Sequence, residues 1–384
     1  MRELNEKVLN YLKNSEKENL ELLEELAQIP APSGDEMRRA EFVKKWLDNR
    51  GAKGVYIDDA KNVVYPVNCD GKKDITVFTA HTDVVFPDTV PLPFKKDGEY
   101  MYCPGIGDDT ACLTSLLTVI NYAIENELTA PCGVLFVANS GEEGLGNLKG
   151  IRQIMKDYAG RISAVYSFDG NYGYIVNKCV GSHRYEVTFE TEGGHSFCSF
   201  GNRNAIAAMS KVITELYKCK LPEKADAKTT FNVGVVNGGT SVNAIAQKAT
   251  MLFEYRSDDK DCLKYMKNFF TGEIEKARSE NLADITVKLV GYRPCGGDVD
   301  PAALKKITDE VIAVCEKYSG MKCIEESGST DCNIPMSLGV PSVCVGSHIS
   351  TGAHTREEKL LIKSIPVGLK ITAEIVLNFF APET

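Results

Sequence analysis

The chain has 384 residues, of which 43% are apolar and 25% are charged, and its formal net charge is −9. This composition is typical of a soluble globular protein, and the length favours two domains over one core. The acidic balance argues against a nucleic-acid or anionic-membrane partner, because either would meet like charge.

The thirteen cysteines are scattered along the chain and form no Cys-x-x-Cys pair. We interpret them as buried free thiols and not as a disulfide framework or a zinc ribbon. No apolar run reaches the roughly 18 residues that a membrane helix needs. The first segment, MRELNEKVLNYLK, carries charges where a signal peptide would have its apolar core. We therefore predict a cytoplasmic protein with no membrane partner.

Helices and strands alternate in the N-terminal part of the chain. Apolar residues at helical spacing predict an amphipathic helix over residues 1–27, interrupted near Asn14 and Ser15. Pro-Ser-Gly at 32–34 predicts a turn before a second helix at about 35–49. The run ITVFTAH, rich in β-branched and aromatic residues, predicts a buried strand that ends at His81.

Acidic or imidazole side chains follow each of three predicted strands. They are His81 and Asp83 after the first strand, Glu142 and Glu143 after the second, and Asp169 after the third. The alternation of strands and helices predicts a doubly wound, mostly parallel sheet with helices on both faces, which gathers these strand ends at one edge. Asp108 and Asp109 precede a helix predicted from about Thr110, and His354 follows a late strand.

The pattern changes between residues 182 and 293. Alternating strands and two amphipathic helices follow the order β-α-β-β-α-β, which is typical of a split βαβ, ferredoxin-like α+β unit. We predict a discontinuous catalytic domain over 1–181 and 294–384, with the α+β domain of 182–293 inserted in it. The segment SGSTDCNIP (327–335) is predicted as a loop.

Each polar strand end has an ordinary interpretation when it is taken alone. His81 and Asp83 could be a core histidine and a turn residue, the Glu pair could begin a helix, and Asp169 could cap a turn. Taken together, two imidazoles and six carboxylates can converge only if divalent cations neutralise them or several carboxylates protonate. Cations are the simpler solution, and nitrogen and oxygen donors without thiolates suit zinc, with cobalt or manganese as alternatives.

These motifs resemble the M20 metallopeptidase family, the di-zinc group that includes peptidase T and carboxypeptidase G2. His81-Thr82-Asp83 is similar to the family's His-x-Asp, and Gly107-Asp108-Asp109 resembles the peptidase T form of the bridging-aspartate motif. Family members keep a Lys or Arg two residues after the bridging aspartate, whereas this chain has Thr110 there. The resemblance covers nearly the whole chain.

The resemblance implies a two-metal site. It implies His81 and Asp169 on one metal, Glu143 and His354 on the other, and Asp108 as the bridging ligand, with Asp109 as second choice. It implies Glu142 as the general base, and Asp83 supports His81 through the second imidazole N–H. His183 and His348 are interpreted as structural.

The resemblance also implies that the inserted domain is a lid and dimerisation domain. Its Gly193-Gly194-His195 resembles the family's lid motif, whose histidine helps polarise the scissile carbonyl, often from the partner subunit of a homodimer. Asn243 and Arg256 correspond to family positions that bind polar groups and the carboxylate of the substrate.

The implied activity is hydrolysis of an amide bond in short peptides by a hydroxide shared between two metals, as in a peptidase T-like aminopeptidase, tripeptidase or dipeptidase. The alternative within the family is an N-acyl amino acid deacylase. A non-catalytic binding protein on this fold would lack a ligand or the base, and the chain keeps all six residues.

Overall fold

The computed structural model describes residues 1–381, which form two compact units. The first unit contains residues 1–179 together with 297 onward, and the second contains residues 180–296. The helices are α1 (Glu6–Gln28), α2 (Met37–Asn49), α3 (Cys112–Glu125), α4 (Lys149–Asp157), α5 (Ala205–Leu216), α6 (Lys260–Ser279), α7 (Pro301–Ser319), α8 (Asn333–Ser337) and α9 (Ile365–Leu377). None of the described helices is both long and apolar enough to cross a membrane.

The strands are distributed over both units. They are β1 (Tyr56–Ile57), β2 (Val63–Val67), β3 (Ile75–His81), β4 (Lys95–Asp97), β5 (Tyr100–Tyr102), β6 (Gly133–Asn139), β7 (Ile162–Phe168), β8 (Tyr174–Cys179), β9 (Gly181–Glu190), β10 (Gly194–His195), β11 (Thr229–Gly238), β12 (Ala244–Ile245), β13 (Lys248–Ser257), β14 (Asp284–Arg293), β15 (Ile324–Gly328), β16 (Ser342–Val345), β17 (Ser350–Thr351) and β18 (Lys359–Leu361).

An eight-stranded, mostly parallel sheet forms the centre of the first unit, with strand order β1-β2-β6-β3-β7-β16-β8-β15. The strand β3 pairs in parallel with both β6 and β7. One face of the sheet packs on α1, α2, α3, α7 and α9, and the other packs on α4 and α8. Because both faces are covered, every residue of β3 and β6 is buried, which explains their continuous apolar runs. The predicted fold class is confirmed.

The helix α1 is continuous from Glu6 to Gln28, so the predicted interruption near Asn14 and Ser15 is wrong. The Ser15 hydroxyl donates to the carbonyl oxygen of Tyr11, one turn earlier, at 2.9 Å. The buried amide of Asn19 donates to Thr118 Oγ1 at 3.0 Å. The hydroxyl of Ser15 is therefore satisfied within the helix, and the amide nitrogen of Asn19 binds the neighbouring helix α3.

A small antiparallel sheet of order β17-β18-β5-β4 lies in the first unit. The strand β18 pairs with β5 so that Lys359 lies opposite Tyr102. This pairing brings the hairpin that carries His354 beside the chain that leads into Asp108.

The second unit is a four-stranded antiparallel sheet of order β11-β13-β9-β14. Residues of α5 and α6 share a buried apolar cluster with one face of this sheet. The chain order β9-α5-β11-β13-α6-β14 is that of a split βαβ unit. The edge strand β11 is exposed over most of its length.

Candidate metal centre

Parallel pairing places three polar strand ends at one edge of the large sheet. His81 is the last residue of β3 and lies opposite Asn139, the last residue of β6. Glu142 and Glu143 follow β6 after a turn at Gly141, whose φ is 65°. Asp169 follows β7 directly. The parallel register therefore brings residues that are far apart in the sequence to the same edge.

Asp108 lies between two histidines. One of its carboxylate oxygens is 3.1 Å from Nε2 of His81, and the other is 3.1 Å from Nε2 of His354. The same nitrogen of His354 is 3.0 Å from Oε1 of Glu143. His354 lies between β17 and β18 with a left-handed φ of 64°.

The donor atoms form overlapping groups that could each hold a cation. His81, Asp108 and Asp169 present atoms that all lie within 4.8 Å of one another, and so do Asp108, Glu143 and His354. Asp108 belongs to both groups, as expected of a ligand shared by two ions. A third group, His81 with Glu142 and Glu143, lies beside them.

Crowding shifts the pKa values of these side chains. Hydrogen bonds to Asp108 and Glu143 raise the pKa of His354 to about 10. Burial and the neighbouring charge of Asp108 raise the pKa of Asp169 to about 7. Burial opposes the charge of Asp108, but hydrogen bonds from His354 and His81 lower its pKa below the usual range. Positive charge is thus held between the carboxylates, and divalent cations bound to the same nitrogen and oxygen donors would supply it.

Asp109 has a different environment from Asp108. It is fully buried, and its Oδ2 accepts the backbone N–H of His81 at 2.9 Å. Its Oδ1 has no hydrogen-bond partner within the described part of the chain, and burial raises its pKa well above the usual value. Asp109 therefore braces the end of β3, while Asp108 reaches both histidines.

Asp83 organises the turn that carries the Glu pair. Its carboxylate accepts the backbone N–H groups of Glu142 at 2.9 Å and Glu143 at 3.0 Å, and the hydroxyl of Ser33 at 2.6 Å. Nδ1 of His81 lies 3.0 Å from the backbone oxygen of Asp83 and 3.5 Å from its carboxylate. The carbonyl oxygen is the closer acceptor, and the carboxylate lies within ion-pair distance of the same nitrogen. Support of His81 by the Asp83 carboxylate therefore stays a prediction.

Sequence reasoning missed Arg39, which lies on α2 behind the site and is fully buried. Its guanidinium donates to the carbonyl oxygen of Thr82 at 2.9 Å and to Thr110 Oγ1 at 3.2 Å. Thr110 holds the position where the family motif has a basic residue. In this structure the guanidinium of Arg39, on α2, contacts Thr110 instead. The signal in the sequence was the spacing of Arg39 with Val43 and Leu47 on the buried face of α2.

Glu358 was also missed as a functional residue. It is fully buried and accepts backbone N–H groups from the loop that leads into Asp108. His348, interpreted as structural, is buried too; it lies 3.5 Å from Cys112 Sγ and 3.1 Å from Ser350 Oγ.

The remaining predicted residues lie in the second unit. His195 on β10 pairs with Ala244 on β12, which places it beside Asn243, whose carbonyl oxygen accepts the N–H of Ser196 at 2.9 Å. Nδ1 of His195 accepts two backbone N–H groups at 3.3 and 3.4 Å. Arg256 on β13 donates to the carboxylate of Glu254 at 2.9 and 3.1 Å.

Comparison with known proteins identifies the family of the chain. The sequence profile of peptidase family M20/M25/M40 matches residues 77–378. The chain belongs to this family. The resemblance drawn from the sequence motifs is confirmed, and this M20 protein is a metal-dependent hydrolase.

Named relatives of this M20 protein span nearly its full length. Succinyl-diaminopimelate desuccinylase of Corynebacterium glutamicum is 24% identical over 351 residues, 90% of this chain and 92% of that protein. The crystal structure of a tripeptidase from Staphylococcus aureus matches with a TM-score of 0.75 and 25% identity, over 95% of this chain and 98% of its own. Aminopeptidase PepT from Bacillus cereus matches with a TM-score of 0.71 and 21% identity, over the same shares of the two chains, 95% and 98%.

Proposed function

We propose that this M20 protein is a zinc aminopeptidase or tripeptidase that hydrolyses an amide bond of short peptides with two divalent cations. The observation that carries the proposal is the position of Asp108, whose two carboxylate oxygens each lie 3.1 Å from a different histidine. A single carboxylate between two nitrogen donors suits a pair of cations better than one. The similarity to the tripeptidase of Staphylococcus aureus supports short peptides as substrates.

His81 and Asp169 would hold one cation, Glu143 and His354 the other, and Asp108 would contact both. When bound, such cations polarise a carbonyl group and lower the pKa of a water molecule. The donor set contains imidazoles and carboxylates but no thiolate, which favours zinc and also suits cobalt or manganese.

Glu142 would act as the general base. It is almost fully buried, with 5% exposure, and its backbone N–H is fixed by Asp83. Its carboxylate is grouped with His81 and Glu143, so it can take a proton from an attacking water and deliver it to the leaving amine.

His195 would donate a hydrogen bond to the oxyanion. Its Nδ1 accepts backbone N–H groups, which leaves the proton of a neutral imidazole on Nε2, where it can be donated. Asn243 and Arg256 would bind polar groups and the carboxylate of the substrate. The exposed edge strand β11, with Val235 at 44% and Val236 at 52% exposure, supports a homodimer formed through the second unit.

A cytoplasmic location is part of the proposal. All thirteen cysteines are free thiols, which suits a reducing compartment.

Substitution of Glu142 by Gln tests the assignment of the base. We expect unchanged cation content, because Glu142 holds no cation in this scheme, and a kcat reduced by about 10²- to 10⁴-fold. Dialysis against a chelator should abolish turnover, and zinc or cobalt should restore it. Near-wild-type kcat in Glu142→Gln would refute the assignment.

An N-acyl amino acid deacylase is the second candidate, because the desuccinylase of Corynebacterium glutamicum is a relative over most of the chain. A panel of free di- and tripeptides against N-acetyl and N-succinyl amino acids separates the two. Hydrolysis of the acyl compounds alone would replace the peptidase proposal.

A further inference from the structure

Glu358 is a buried carboxylate that accepts hydrogen bonds from the backbone of a loop in the metal centre. It lies just before β18 and four residues after His354. Its Oε2 accepts the N–H of Gly105 at 2.6 Å. Its Oε1 accepts the N–H groups of Gly107 and Asp108 at 2.9 Å each. One side chain thus satisfies three donors of a single loop.

This loop determines where Asp108 lies. Asp108 itself has φ −97° and ψ 95°, outside helical values, although it lies in the turn Ile106–Ala111. In the described structure no strand pairing fixes the N–H groups of Gly105, Gly107 and Asp108. Without Glu358, two buried donors and one partly buried donor would lose their acceptor. The carboxylate of Glu358 supplies the acceptors that backbone carbonyl oxygens would supply in a helix or a sheet.

The loop and the carboxylate are closely packed. A Cβ atom added to Gly107 would lie 2.9 Å from Oε1 of Glu358 and 2.4 Å from Oγ of Ser350. There is no room for a side chain at residue 107, so the loop can rest on the carboxylate only with glycine there. The pairing of β18 with β5 holds both partners in register.

Glu358 therefore joins two parts of the site that are about 250 residues apart in the chain. Its own segment carries His354, and the loop it binds carries Asp108. The distance of 3.1 Å between Asp108 Oδ2 and His354 Nε2 depends on both segments being held together.

We propose that Glu358 is a positioning residue, whose carboxylate fixes the backbone of Asp108 so that this aspartate can contact two cations at once. The inference rests on the proposed two-cation function and deepens it. Loss of a partner that orients a metal ligand typically costs about 10- to 100-fold in metal affinity or activity, and we expect a loss in that range.

The test compares Glu358→Gln with Glu357→Gln. The amide introduced by Glu358→Gln keeps one acceptor oxygen but turns an NH₂ group toward the loop donors, whereas Glu357 is exposed and serves as the matched control. Zinc and cobalt affinities are measured by competition with a chromophoric chelator, and circular dichroism confirms that each metal-free variant is folded. We expect Glu358→Gln to bind its second equivalent of metal about 10- to 100-fold more weakly than the wild type does. The affinities of Glu357→Gln should match those of the wild type.

A role in stability alone would lower the unfolding temperature and leave metal affinity unchanged below it. Wild-type affinity for two cations in folded Glu358→Gln would overturn the inference. At saturating metal we also expect kcat to fall while KM stays near the wild-type value, because Glu358 acts on the loop of Asp108 and not on the proposed substrate-binding residues.

Gly107→Ala is the second variant and decides the question if Glu358→Gln does not fold. It keeps every polar group but pushes the loop off the carboxylate, so it should weaken the second cation in the same way; wild-type affinity would overturn the inference. The proposed function fails separately, if the wild-type protein binds two cations but hydrolyses neither peptides nor acyl amino acids.

Discussion

Replacement of Asp83 by Ala should destabilise the first unit and weaken its metal site together. The carboxylate is fully buried and is the acceptor for the N–H groups of Glu142 and Glu143 at 2.9 and 3.0 Å. Each buried donor left unpaired costs about 1–3 kcal/mol, so two donors cost about 2–6 kcal/mol. The Ser33 hydroxyl can rotate to another acceptor and adds little. Asp83→Asn keeps one acceptor oxygen and should lose about half as much.

The assay is urea unfolding of the metal-free protein, followed by zinc titration of the folded variants. Asp88→Ala is the control, because Asp88 pairs with Arg356 at the surface, and such pairs contribute at most about 1 kcal/mol. We expect Asp83→Ala to lose several times more unfolding free energy than the control, and about 10- to 100-fold in zinc affinity. Equal stability of Asp83→Ala and Asp88→Ala, or wild-type zinc affinity in Asp83→Ala, would refute the reasoning.

Three further predictions concern the aspartate pair, His183 and the stability gained on zinc binding. Asp108→Asn should bind at most one cation and Asp109→Asn two, as counted by elemental analysis; the reverse result would exchange their roles. Burial lowers the pKa of His183 to about 4. Between about pH 6.5 and 4 the imidazole is therefore protonated in the unfolded chain but neutral in the folded chain, so the free energy of unfolding should fall as the pH falls through this range. His183→Gln should make that fall shallower in urea titrations at pH 7 and pH 5, and an unchanged slope would contradict the assignment. Zinc at about 100 times its Kd should stabilise the chelator-treated protein by about 2.7 kcal/mol for each cation bound, measurable as a rise in unfolding temperature that a protein without a metal site would not show.

The central strands were predictable because a strand buried on both faces has a mostly apolar composition. The run from Ile75 to His81 is rich in β-branched and aromatic residues, and all seven residues are buried. A parallel strand covered on both faces needs such a run, and its carboxyl end must lie at the edge where ligands bind. That rule places His81 and Asp169 at the same edge of the sheet, and the pairing of β3 with β7 brings them beside one another.

Two errors in the secondary structure have a common physical origin. The helix α1 contains Asn14 and Ser15, which interrupt the apolar pattern but not the helix. The strand β15 (Ile324–Gly328) carries exposed polar residues at the sheet edge, and the prediction assigned its last two residues, Ser327 and Gly328, to a loop. In both cases tertiary contacts outweigh the local pattern, and a single sequence does not reveal those contacts.

The residues that support the site were less predictable than the residues that form it. His354 and Glu143 have side chains that commonly bind metals, so they could be selected once several such groups were predicted at one edge of the sheet. Arg39 and Glu358 act through backbone groups that are distant in sequence, and any backbone offers such groups. Only the folded register of β18 against β5 shows which N–H groups Glu358 accepts.

The most direct test of the two-cation site is a crystal structure of the zinc-loaded protein with anomalous diffraction measured at the zinc edge. Our account predicts two peaks on either side of Asp108, one contacting His81 and Asp169 and the other contacting Glu143 and His354. A single peak, or two peaks that Asp108 does not contact, would contradict it.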